Sequence, residues 1–214
     1  TLLTVPRPRY FSVIGPWQGS GGVIQDWYLL PRGTSIPSHI DSAKVIRIPV
    51  ERVICMSTTH IAMIKALGRS ASVRGFSGTA YIYDEQVRKL VADGEISETG
   101  YEDNLNKELI LSLLPDIVIA YGIGSESAAY LGKLKEMGVK VLFNADYLEE
   151  DPLGKAEWIR LFGALYDCRP VADSLFRHIE HEYNSYKSLI AEKAVSKPRV
   201  LLGLPFRDTW FVSP

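Results

Sequence analysis

From residue 52 to about residue 145 the chain alternates short apolar runs with longer stretches that carry apolar residues on one side only. The runs Val53 to Cys55, Val73 to Phe76, Asp116 to Ala120 and Val139 to Phe143 are too short for helices and mostly apolar, as strands buried on both faces are. Between them the spacing predicts helices over His60 to Leu67, Asp84 to Ala92, Asn106 to Leu114 and Ser127 to Met137, the last stopped by Gly138. Strand and helix in strict alternation imply a parallel α/β sheet, and such sheets bind ligands beyond the carboxyl ends of their strands.

The flanks read differently. Tyr10 to Ile14 and Trp27 to Leu30 predict two strands around a glycine-rich turn, Gly15-Pro-Trp-Gln-Gly-Ser-Gly-Gly22, forming an antiparallel extension at the edge of the sheet over residues 1–51. Residues 52–169 then form the α/β lobe, with a further helix near Gly154 to Phe162. Pro170 suits a first helical turn, and Phe176, Ile179, Tyr183, Tyr186 and Ile190 continue a helix to about Ala194. That helix, residues 170–195, is long enough at roughly 37 Å to join two lobes. Lys197 to Leu204 and Trp210 to Val212 read as the first strands of a second α/β unit over residues 196–214. So few residues for such a unit suggest a truncated chain.

Composition narrows the classes. At 214 residues, with 46% hydrophobic residues and a formal net charge of −1, the chain can bury a sizeable core and has no basic excess for nucleic acid. No run approaches the roughly 18 apolar residues of a membrane span. The 2 cysteines, Cys55 and Cys168, are too few for a disulfide framework and read as buried thiols.

The richest stretch for chemistry is Ser57-Thr-Thr-His60, where a strand turns into a helix. Free N–H groups and hydroxyls at a helix N-terminus can hold a ligand, and the same residues are also ordinary helix caps. His60 reads more readily as packed than as a metal ligand. His178-Ile-Glu-His-Glu182 lacks zinc-protease spacing and reads as a solvated helix face, so no metal site is expected. Gly122 and Gly124 follow a strand, and Asp146 comes about twenty residues later. A nicotinamide-dependent oxidoreductase is therefore the alternative reading, although Ser127 stands where its third glycine belongs. No nucleophile elbow supports a hydrolase. A pure interaction module is the remaining choice.

Four segments carry a family resemblance: Arg52 to His60 with Ala66-Leu-Gly68; Val73-Arg-Gly-Phe-Ser77; Glu108-Leu-Ile-Leu-Ser-Leu-Leu-Pro-Asp-Ile-Val-Ile119; and Leu134-Lys-Glu-Met-Gly-Val-Lys-Val141. In this order, with Gly154-Lys-Ala-Glu-Trp-Ile159 ahead of the long helix, they resemble the periplasmic substrate-binding proteins of ABC importers for iron–siderophore complexes, haem and vitamin B12. The resemblance covers residues 52 to about 205. It implies a Rossmann-like lobe, a long inter-lobe helix and a second α/β lobe. It also implies a non-enzymatic protein with no cofactor of its own, working in the periplasm or on the outer face of the cytoplasmic membrane through a lipid anchor.

The resemblance places a metal chelate against Ser57, Thr58, Thr59 and His60; Ser77, Gly78 and Tyr81; Tyr121, Gly122, Gly124 and Ser125; and Asp146 and Tyr147. Tyr81, Tyr83, Tyr121 and Tyr147 would supply aromatic surface, and Arg74, inside a strand, is a weaker candidate for an anionic siderophore. Glu108 falls where the family docks on its permease, its alternative being a solvated helix residue.

Overall fold

The computed structural model describes residues 9–17, 19–100, 104–122, 131–193 and 199. Gly124, Ser125 and, Arg199 apart, the strands expected after residue 196 lie outside the described residues.

Among the described residues, eight strands form two sheets. β1 (Arg9–Ile14), β2 (Ile24–Pro31) and β3 (Val45–Ile48) make a three-stranded sheet. β4 (Val53–Cys55), β5 (Val73–Phe76), β6 (Ser97–Glu98), β7 (Ile117–Ala120) and β8 (Val141–Phe143) make a five-stranded one in the order β6-β5-β4-β7-β8. All pairings in the larger sheet are parallel. Counted from β4, that order is 3-2-1-4-5, so the winding direction reverses between β4 and β7.

Alternation along each strand sends side chains to opposite faces. Val53, Cys55, Ile117, Ile119 and Leu142 belong to one core, with Ile61 and Ile64 of α1 (Thr58–Ala66) and Val87 of α2 (Glu85–Ala92). Ile54, Val118, Ala120, Val141 and Phe143 belong to the other, with Ile110 of α3 (Lys107–Ser112) and Leu131 and Leu134 of α4, whose described part is residues 131–136. The first core also takes in Phe162 and Leu165 from the helices that follow β8, and Val13, Leu29 and Ile46 from the small sheet.

Side chains placed at the ends set the helix boundaries. Asp84 accepts the N–H of Val87 at 3.1 Å, and Asn106 accepts that of Leu109 at 2.9 Å, each satisfying an N–H that the first turn leaves free. Gly138 takes the left-handed φ of 83° that ends α4.

Three expectations are corrected. The N-terminal extension is not an antiparallel addition to the main sheet: β1 and β2 are antiparallel, but β2 pairs in parallel with β3, a strand that hydrophobic alternation alone did not reveal. It meets edge strand β8 through a side chain rather than by strand pairing. Gln25 donates to the carbonyl of Val141 at 3.4 Å and accepts the N–H of Phe143 at 3.0 Å, filling backbone valences on edge strand β8. Among the described residues the main sheet has five strands rather than four, since the two-residue β6 is too short to show a period. The helix expected over 154–162 is two helices, α5 (Pro152–Glu157) and α6 (Ile159–Leu165), which meet at Trp158.

α7 (Arg169–Lys193) is continuous for 25 residues, as the periodicity predicts. Ala172 and Phe176, in its first half, are buried, while Ile179, Tyr186, Leu189 and Ile190 are exposed. No helix among the described residues is long and apolar enough to cross a membrane.

Candidate functional site

Where a parallel sheet reverses direction, the loops leaving the two adjacent strands diverge and open a crevice at their carboxyl ends. Here those strands are β4 and β7. Ser57 and Thr59 come from the β4 loop and first turn of α1, Tyr121 from the end of β7, and Asp146 and Tyr147 from the loop after β8. They line one cleft of about 680 Å³. Ala62 and Met63 extend its wall one turn along α1, and Pro152, Lys155 and Ala156 of α5 close it. Sequence reasoning missed these five. The signal for the first pair was available, because residues three and four beyond Thr59 share its helix face.

The polar groups of the cleft largely satisfy one another. The Ser57 hydroxyl accepts the N–H of Thr59 at 3.3 Å and lies 2.9 Å from the Thr59 hydroxyl, while the Ser57 carbonyl accepts the N–H of His60 at 3.2 Å. The turn is therefore a helix cap as well as a cleft wall. Asp146 stands opposite that first turn, 8% exposed. Burial raises its pKa, and the Thr59 hydroxyl, the Tyr147 N–H and the Asn144 amide, whose geometry falls short of a hydrogen bond, act against the rise, as does the charge of Lys155. Lys155 is the one cation among the described lining residues. Tyr147 donates its hydroxyl to the carbonyl of Gly122, tying the β8 loop to the β7 loop.

The other expected site residues stand apart from this cleft. Ser77 is buried, and Gly78 lies in a turn whose N–H groups are already bound. Glu98 accepts the N–H of Gly78 at 3.0 Å, of Thr79 at 2.6 Å and of Gly100 at 2.9 Å, together with the Thr79 hydroxyl at 2.7 Å. Partial burial works to raise the Glu98 pKa, and these four donors outweigh it, so the pKa is lowered. Tyr81 is 57% exposed on the same rim, and Thr58 is exposed beside the cleft.

His60 is not on the cleft surface. It points into the core with no exposed atom, 6.4 Å from the ring of Phe162, and neither ring nitrogen has a hydrogen-bond partner. Burial pushes its pKa down to about 3, opposed only by the Ile119 backbone, whose geometry falls short of a hydrogen bond. Arg74 is also remote, paired with Glu95 at 3.5 Å. Glu108 is exposed in the first turn of α3. That helix starts beside the carboxyl end of β6, where Asn106 donates its N–H to the carbonyl of Thr99. No cluster of metal-binding side chains occurs among the described residues.

Gly122 has a packing explanation. It bridges to Trp17 of the small sheet's turn, and a Cβ on Gly122 would lie 2.6 Å from the Trp17 Cβ. Trp17 in turn packs on Phe143 with ring centroids 5.1 Å apart. The glycine admits an indole where a dinucleotide turn would admit a pyrophosphate.

A doubly wound lobe with its cleft at the switch point defines a ligand-binding module. The chain belongs to the periplasmic binding protein family, whose model matches residues 53–213. It is 33% identical over 176 residues to the uncharacterized lipoprotein MJ0878 of Methanocaldococcus jannaschii, a match spanning 79% of this chain and 41% of that protein. In fold it is similar to a periplasmic heme binding protein from Pseudomonas aeruginosa, with a TM-score of 0.53, 20% identity and coverage of 67% of this chain and 48% of that one. It is likewise similar to the iron uptake ABC transporter substrate-binding protein PiuA of Streptococcus pneumoniae, with a TM-score of 0.52, 20% identity and coverage of 71% and 50%. The chain thus spans about two-fifths of the archaeal relative and about half of each solved chain.

Proposed function

We propose that this chain forms the first lobe of a solute-binding protein that captures a metal chelate, an iron–siderophore complex, haem or a cobalamin, and delivers it to an ABC permease. The observation that carries this reading is the convergence of Ser57, Thr59, Tyr121, Asp146 and Tyr147 on one cleft at the switch point of the sheet. Hydroxyls and aromatic rings around an apolar floor suit a bulky ligand with a polar rim. The Gly122–Trp17 contact removes the main support for a nicotinamide enzyme.

In this reading the protein works outside the cytoplasm, held to the membrane by a lipid anchor, and the second lobe completes the cleft. The exposed Glu108 is the docking handle on this lobe, since a solvated carboxylate can set orientation and on-rate against permease arginines.

Tryptophan-fluorescence titration of the full-length protein with haem, cobalamin, ferric siderophores and NADH tests the reading. Saturable sub-micromolar binding of one chelate, weakened at least about fivefold by Tyr121→Ala or Tyr147→Ala, is expected, because a buried aromatic contact contributes on the order of 1 kcal/mol or more. Binding of NADH alone overturns it. Glu108→Arg should leave chelate affinity unchanged and abolish delivery to the permease in proteoliposomes.

A further inference from the structure

Two positions at the carboxyl ends of the strands attract anions by their geometry, and the protein fills both itself. The first is the positive end of α1, faced by the Asp146 carboxyl, with the Thr59 and His60 N–H groups taken by Ser57. The second is the cluster of N–H groups of Gly78, Thr79 and Gly100, taken by Glu98. Lys155 is the single cation among the described lining residues, and Arg74 is engaged by Glu95 outside the cleft.

From this we infer that Asp146 is a specificity-determining residue that turns anionic groups of the chelate away from this lobe, so that the face bound here is uncharged or cationic and rich in hydroxyl or amide donors. The inference rests on the proposed chelate-binding function. A carboxylate so little exposed interacts with a ligand across low-dielectric surroundings, where repulsion of a second anion is strong. The same carboxylate accepts hydrogen bonds from N–H and O–H groups on a neutral ligand.

The experiment titrates the full-length protein with three probes: a neutral ferric trishydroxamate, neutral cyanocobalamin and a trianionic ferric triscatecholate. Wild type should favour a neutral probe over the triscatecholate by at least about tenfold, and Asp146→Asn should reduce that ratio by about tenfold, chiefly by tightening the anionic probe. Asp146→Ser, which also removes the charge, should act in the same direction. Circular dichroism confirms that either variant is folded. Wild-type binding of the triscatecholate as tight as that of the neutral probes overturns the inference and leaves the importer reading intact. So does an unchanged ratio in both variants. Failure of all three probes and of haem to bind removes the importer reading, and the inference with it.

Discussion

The side-chain carbonyl of Gln25 accepts the backbone N–H of Phe143 at 3.0 Å, across 118 positions of sequence. This one amide does for edge strand β8 what a neighbouring strand would do, without extending the sheet. Gln25→Ala should lower stability by about 1–2 kcal/mol, as expected when a partly buried donor loses its partner. Hydrogen exchange gives the local readout: the Phe143 amide should exchange faster in the variant, while the Val118 amide, bonded within the sheet to Lys140 at 2.8 Å, should change no more than global stability does.

Gly122 and Trp17 are coupled by contact. Gly122→Ala brings a Cβ to within 2.6 Å of the Trp17 Cβ and should cost about 1–3 kcal/mol through overpacking. In a Trp17→Gly background the same substitution should be milder by at least about 1 kcal/mol, as for residues in direct contact. Urea denaturation of the four proteins in this cycle measures the difference, and equal costs in both backgrounds would show that the indole is not what demands glycine.

His60 gives the lobe a pH-dependent stability of definite sign. Its folded pKa is lowered to about 3 from 6.5, so between these values the unfolded chain binds a proton that the folded chain refuses. Stability should therefore fall as pH drops below 6.5, with a slope from this residue approaching roughly 1.4 kcal/mol per pH unit. Chemical denaturation of wild type and His60→Leu at several pH values measures the contribution, and the variant should lose that part of the slope. An imidazole that titrates near 6.5 in the folded protein by NMR would contradict this burial argument.

Glu98 acts over a lower pH range. Its folded pKa lies below the ordinary value of 4.5, so its contribution is fully present above 4.5 and disappears as pH falls through the folded value. Glu98→Gln should weaken the bonds to Gly78, Thr79 and Gly100 and flatten that acid limb. Faster hydrogen exchange of the Thr79 amide at neutral pH is the expected local sign.

Much of the main sheet was legible because burial on both faces leaves an unmistakable mark. Val53 to Cys55 and Val73 to Phe76 are strands with the boundaries that their apolar runs predict. Helix starts were legible where capping chemistry is local, as at Asp84 and Asn106. What could not be read depends on distant partners. Ser97 and Glu98 form a strand only because β5 offers them a parallel edge, and Val45 to Ile48 pair with β2 across a long loop. The break at Trp158 coincides with a contact nine positions back, its indole N–H donating to Glu149 at 3.0 Å, that no period records. In the cleft, the loop residues at the ends of β4, β7 and β8 followed from topology. The α5 wall depended on how a helix folds back over the cleft, and His60 shares a turn with Thr59 yet faces the opposite way.

The clasp made by Trp17, Gly122 and Tyr147 has a thermodynamic consequence for capture. Loops that wait for a ligand to order them subtract that ordering from the affinity, at about 0.5–1.5 kcal/mol for each immobilised side chain. Here Gly122, just beyond the end of β7, is already held from two sides, by contact with Trp17 and by the Tyr147 hydroxyl. In the proposed binding protein, the Tyr147 side chain is thus fixed before a ligand arrives. On the proposed function, that side chain's share of the ordering cost is met by the fold itself and does not subtract from the affinity.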